Sequence, residues 1–83
     1  MSKPNDDFID FRIMKELGRM GSVPFVYLRE AFSLTDGSLV ARLQKLKKLG
    51  FINSQKFKTD SYPITFYHLT EDGFQKFKEL IAS

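Results

Sequence analysis

The stretch Ser33-Leu34-Thr35-Asp36-Gly37-Ser38-Leu39-Val40-Ala41-Arg42-Leu43-Gln44-Lys45-Leu46-Lys47-Lys48-Leu49-Gly50 carries its own start signal, stop signal and buried stripe. Thr35 is a good N-cap, because its hydroxyl can accept from a backbone N–H two or three residues on. Gly50 supplies the left-handed conformation at which helices commonly end. At about 100° per residue Leu39, Leu43 and Leu46 fall within about 60° of one another, so they form one apolar stripe. The opposite side carries Gly37, Ala41, Gln44, Lys45 and Lys48, with Ser38 at its edge and Arg42 on a flank. The sequence therefore predicts a helix over 36–49 whose leucines point inward and whose outward face is small at its start and cationic towards its end.

Upstream, Phe25 to Phe32 reads as a short helix opened by Pro24, with Leu28, Ala31 and Phe32 as core contacts. Only Ser33-Leu34-Thr35 separates it from the next helix, and that matches the three-to-four-residue turn of a helix-turn-helix. Further back, Ile9, Ile13, Leu17 and Met20 recur at helical spacing, with Met14 on the flank. They predict a first helix over about 6–20, capped by Asn5 or Asp6 and stopped near Gly21. Residues 1–5 are expected to be flexible. Ser22-Val23 is long enough only for a strand stub.

Downstream of Gly50 the period changes. Residues 51–58 and 64–69 are rich in aromatic and β-branched residues, and Thr59-Asp60-Ser61-Tyr62-Pro63 between them is turn chemistry. The pair is a hairpin, in which Phe57 and Phe66 can cover one another across the strands. Thr70 caps a last helix, Glu71 and Asp72 suit its positive end, and Phe74, Phe77, Leu80 and Ile81 give it an apolar stripe. The order of elements is that of a winged helix-turn-helix: an α+β domain with a three-helix core, a two-stranded wing and an additional C-terminal helix. In that architecture the third helix enters the major groove and the wing lies on the adjacent backbone or minor groove.

Charge and composition agree with such a role. The chain has 83 residues, one domain's worth, with 42% apolar residues and a net charge of +3. Residues 31–58 hold six bases against the single acid Asp36, whereas the flanking thirds are balanced or acidic. Such asymmetry points to a polyanion. Small residues in the first turn of the third helix would let it approach base edges. Gln44 can pair bidentately with adenine, Lys45 can donate to guanine, and Ser38 can donate or accept and so discriminates less. Ser38, Ala41, Gln44 and Lys45 are thus the candidate base readers. Thr35, Arg42, Lys47, Lys48, Lys56, Lys58, Thr59, Ser61 and Tyr62 are the candidate contacts to phosphate or sugar.

Other function classes find little support. There is no cysteine, no apolar run long enough to span a bilayer and no secretory signal, so a cytoplasmic, nucleoid-associated protein is expected. No phosphate-binding glycine loop, metal-ligand spacing or nucleophile–base pair is present, and the lone His68 sits in a strand. An enzyme is not expected, nor a cofactor, a metal or a small-molecule ligand. Two alternatives to a site-specific regulator stay open: a sequence-blind architectural DNA binder and a protein-interaction module.

The stretch Leu28-Arg29-Glu30-Ala31-Phe32-Ser33-Leu34-Thr35-Asp36-Gly37-Ser38-Leu39, then Leu43-Gln44-Lys45-Leu46-Lys47-Lys48-Leu49-Gly50-Phe51-Ile52, resembles the DNA-binding domain of MarR/ArsR-type transcriptional regulators. Tyr67-His68-Leu69-Thr70-Glu71-Asp72-Gly73 is similar to the strand-to-helix junction of the same group. The resemblance covers roughly residues 8–81 and implies sequence-preferring binding to double-stranded DNA, usually by homodimers on pseudo-palindromic sites. It departs from the group at the wing tip, where many relatives carry an arginine and this chain has Thr59-Asp60-Ser61-Tyr62. Phe8 and Phe11, on the side of the first helix away from its core stripe, and Phe74, Phe77 and Ile81 on the last helix are the candidate dimer interface. Packing of these residues on each other within one subunit is the alternative.

Overall fold

The computed structural model describes residues 4–82, with the side chains of residues 4–7 left out of the description. Helix α1 spans Pro4–Met20, strand β1 Ser22–Pro24, helix α2 Phe25–Phe32, helix α3 Asp36–Lys48, strand β2 Ile52–Phe57, strand β3 Ile64–Leu69 and helix α4 Glu71–Ala82. The expected flexible lead, residues 1–5, falls partly outside the described residues. From Pro4 onward the chain is already helical, so the predicted caps Asn5 and Asp6 lie inside α1 rather than before it. Proline suits such a start, where its missing N–H costs no helical hydrogen bond.

The buried core is Ile13, Met14 and Leu17 of α1, Val23 of β1, Leu28 of α2, Leu39, Leu43 and Leu46 of α3, and Ile52 of β2. All three predicted leucines of α3 are at most 3% exposed, which fixes the rotation of that helix. Two expectations fail at the edges of the stripes. Met20 is exposed and Met14 is buried in its place. The helix ends at Met20, where Gly21 N–H donates to Leu17 O at 2.8 Å, and the chain turns away before that side chain reaches the core. Ala31 is likewise exposed, leaving Leu28 as the buried residue of α2.

The stub becomes a true third strand. β1 pairs antiparallel with β3, which pairs antiparallel with β2, so the sheet order is β1-β3-β2 and the predicted hairpin forms two of its three strands. The register sets Val23 opposite Tyr67, Ser54 opposite Tyr67 and Ile52 opposite Leu69. Because side chains alternate along a strand, Val23, Tyr67, Leu69 and Ile52 share the face that meets the helices. On the other face Phe57 and Phe66 meet edge-to-face, with ring centroids 5.4 Å apart. His68 lies on that outer face, half-buried.

Two junctions fix how the elements follow one another. Between α2 and α3, Ser33 adopts the left-handed conformation (φ 51°, ψ 44°), and Leu34 N–H closes the turn on Arg29 O at 3.1 Å. Arg29 then spans the turn to Asp36 at 2.9 Å. At the other junction Thr70 N–H donates to Phe51 O, the Thr70 hydroxyl donates to Gly50 O, and Gly73 N–H donates to that hydroxyl at 3.0 Å. Gly50 itself has φ +83°, the left-handed stop expected after α3.

Of the glycines, Gly73 has the least room for a side chain. A Cβ there would sit 1.8 Å from Phe51 O, so only glycine lets α4 cross the start of β2. Gly73→Ala is therefore expected to remove at least about 2 kcal/mol of stability in urea unfolding, whereas Thr70→Ala costs about 1 kcal/mol, the usual worth of a cap. A Gly73→Ala protein with unchanged unfolding midpoint would contradict the packing described.

Candidate nucleic-acid interface

With its leucines buried, α3 turns Ala41, Gln44, Lys45 and Lys48 to solvent, as the helical periodicity requires. Its first turn is held by Thr35, whose hydroxyl accepts from Ser38 N–H at 3.2 Å. Gly37 has open space around its Cα, so the start of the helix presents little bulk. Ser38, Ala41, Arg42 and Lys45 line a shallow depression of about 240 Å³ on the outward side. Gln44 lies on the other flank of the same exposed face.

The cations of α3 differ in their surroundings. Lys47 leans towards the sheet and donates to Ser54 Oγ at 2.8 Å, tying the end of α3 to the base of the hairpin. Lys56 follows on the same side of β2 as Ser54 and is exposed, so it shares the strand face that Lys47 reaches. Lys48 points outward. Arg42, expected at a phosphate, is largely enclosed, with its side chain 14% exposed and its guanidinium donating to Asp10 of α1 at 3.4 Å. Lys45 also bonds to Asp10, through the other carboxylate oxygen.

Asp10 is thus the residue that sequence reading missed. It is 7% exposed and sits 32 positions before Arg42, so no local spacing rule connects them. The available signal was an acid set among Ile9, Ile13 and Leu17 on the apolar side of the first helix, since a carboxylate buried there needs a partner. Arg29 has a surface counterpart: its guanidinium is held above the ordinary value by its hydrogen bond to Asp36, then by attraction to the same carboxylate. It remains a cation that staples the turn.

At the hairpin tip Thr59 organises the loop. Its hydroxyl accepts from Tyr62 N–H at 3.0 Å and from Ser61 N–H at 3.3 Å and donates to Tyr62 O. The tip is therefore ordered by one side chain, with Ser61, Tyr62, Lys56 and Lys58 exposed around it.

Away from this face, Phe11 of α1 stacks on Phe77 of α4 with centroids 5.3 Å apart, so these two rings do pack within the chain. Phe8, Phe74 and Ile81 remain exposed at 59, 46 and 59%. Arg12 covers part of the apolar surface, its guanidinium lying 5.8 Å from the Phe8 ring centre and 5.4 Å from that of Phe32. Among the described residues no helix is long and apolar enough to cross a membrane.

Residues 9–83 match the sequence profile of the winged helix DNA-binding domain. The chain belongs to that family. Over 57 residues it is 37% identical to an uncharacterized protein of Methanocaldococcus jannaschii, covering 69% of this chain and 62% of that relative, so the match spans less than two thirds of the relative's length. A transcriptional regulator homologue of Pyrococcus horikoshii has the same fold, with TM-score 0.85, 23% identity and coverage of 96% of this chain and 81% of that one. The zinc-responsive MarR family member ZitR of Lactococcus lactis shares it with TM-score 0.75 and 20% identity, over 89% of this chain and 50% of that one. At these identities the likeness establishes a common fold. In winged helix terms α2 and α3 are the helix-turn-helix, and β2 and β3 are the wing.

Lys47 bridges these two parts of the winged helix domain. Lys47→Ala should weaken binding to any duplex and flatten the slope of log affinity against log salt by about 0.9, the loss of one phosphate neutralised. Stability should change by less than about 0.5 kcal/mol, because the side chain is exposed. An unchanged salt slope would contradict a place for Lys47 on the DNA backbone.

Proposed function

We propose that this winged helix domain is a transcriptional regulator that reads double-stranded DNA with α3 in the major groove and its wing on the flanking backbone or minor groove. The observation that carries the reading is the outward face of α3: small at Gly37 and Ala41, hydrogen-bonding at Ser38 and Gln44, cationic at Lys45 and Lys48, and held outward by three buried leucines. A solvated helix would normally mix glutamates among its lysines at i,i+4. This one has none after Asp36.

Ser38, Ala41, Gln44 and Lys45 are the base readers in this docking. Thr35, Lys47, Lys48, Lys56, Lys58, Ser61 and Tyr62 meet phosphate and sugar. Thr59 serves chiefly by ordering the wing tip, and Arg42 by bracing α3 against α1. Among the solved relatives, what ZitR's name says of zinc belongs to that protein; here the partner is the duplex itself.

The second part of the proposal is a homodimer. Exposed Phe8, Phe74 and Ile81 lie on α1 and α4, and Phe8 also lines a mainly apolar groove of about 660 Å³ with Phe11, Leu49 and Leu80, which Asp10, Lys45 and Lys76 line as well. Phe74 and Ile81 lie outside the groove that Lys45 lines, so a self-association face built on them leaves Lys45 open to DNA, and exposed apolar side chains of this kind suit an interface. A two-fold axis there would set two copies of α3 about 34 Å apart, one turn of DNA.

Selection of bound duplexes from a random pool is the test of the reading, and a palindromic site is the expected product. On the selected site Gln44→Ala should cost about 1–3 kcal/mol, with little effect on random DNA. Equal weakening on both would replace the regulator with an architectural binder. Phe74→Asp with Ile81→Asp should give a folded monomer that binds the full site on the order of 100-fold more weakly, through loss of avidity. Sedimentation as an unchanged species would exclude this interface; Phe77 is unsuitable for the test because it packs on Phe11.

A further inference from the structure

We infer that Asp10 is a specificity-determining residue, which holds Lys45 away from the phosphates of arbitrary DNA so that it is released only to a matching base. The inference rests on the docking proposed above and adds to it a residue outside the helix-turn-helix.

The geometry is specific. Asp10 projects from α1 behind the outward face of α3, with one carboxylate oxygen on Arg42 and the other on Lys45. Arg42 and Lys45 are three residues apart, so they stand on the same flank of the helix. Both line the depression that also holds Ser38 and Ala41. Arg42 is mostly enclosed, whereas the Lys45 side chain is 42% exposed and long enough to leave. One buried acid thus serves two cations of unequal freedom: Arg42 anchors it, and Lys45 is its exchangeable partner.

That arrangement separates two ways of binding DNA. A phosphate offers Lys45 only what Asp10 already offers, one negative charge shared by two oxygens, and bringing it there places it near a carboxylate. A guanine edge presents two acceptors, O6 and N7, without a formal charge and at a fixed place in the groove. Exchange of Asp10 for a guanine edge is therefore favoured over exchange for a phosphate that brings a second negative charge. The acid weakens sequence-blind attraction, which depends on the number of cations free to displace counterions. Discrimination by penalising the wrong partner is a general route to specificity.

Asp10→Asn tests this directly. It keeps the shape and removes the charge, so Lys45 becomes free to meet phosphate. The expected result is binding to a random duplex about 3- to 10-fold tighter at low salt, with a salt slope steeper by about 0.9 and a smaller ratio of selected-site to random affinity. Asp10→Glu, which restores the charge, should restore much of that ratio. A carboxylate that only stabilises the fold would lower the unfolding midpoint and leave the random-duplex slope alone, and that result overturns the inference.

Lys45→Met supplies a second readout that keeps the Asp10 carboxylate and its pairing with Arg42. In the intact protein Lys45 should weigh on the selected site and little on random DNA, so this variant should flatten the random-duplex slope by less than half as much as Lys47→Ala. An equal flattening shows Lys45 already on phosphate and overturns the inference. A wild-type protein with no preferred duplex overturns the docking and this inference together. A selective wild type whose selectivity and slope survive Asp10→Asn overturns this inference alone.

Discussion

Burial of Leu39, Leu43 and Leu46 against α1, α2 and β2 is the contact on which the rest of the molecule depends. A helix can present a face to a partner only if its rotation is fixed, and here three side chains at most 3% exposed fix it. Replacing a buried leucine of this kind with alanine costs about 2–5 kcal/mol, a large share of what a domain this small has to lose. The same burial that holds the fold together therefore aims Ala41, Gln44, Lys45 and Lys48 at solvent. Stability and recognition are opposite sides of one helix.

Around that contact the remaining elements act as supports. The Thr35 cap and the Arg29–Asp36 pair set where α3 begins, and Gly50 and the Thr70–Gly73 junction set where the chain leaves it for the sheet. Lys47 on Ser54 links the helix to the base of the wing. Asp10 on Arg42 and Lys45 links the helix to α1, and through α1 to the face where Phe8, Phe74 and Ile81 are exposed.

Much of this was legible in the sequence because it follows local rules. The α3 stripe, the α2 limits, the glycine stop, the hairpin and the cap at Thr70 are each encoded within a few residues. Features resting on contacts between distant segments were not legible. β1 has three residues, too few for a strand period, and becomes a strand because β3 offers it a partner. Met14 and Met20 exchange roles because helix direction, rather than periodicity, decides which end reaches the core. Gly73 looks like an ordinary helical glycine until Phe51 is placed against it. Asp10 is the sharpest case: residues 37–58 contain no acid, yet the fold brings one to the edge of the cationic face from α1. Thr59 is the reverse, a residue whose turn chemistry was local and whose hydroxyl is used within the tip.

The central claim is that the outward face of α3 is the surface that meets the duplex. Backbone amide shifts recorded while a selected duplex is added to the labelled protein test it most directly. The largest changes are expected on Ser38, Ala41, Gln44, Lys45 and residues 58–62 of the wing. Changes concentrated on α1 and α4, with residues 38–45 unmoved, would contradict it.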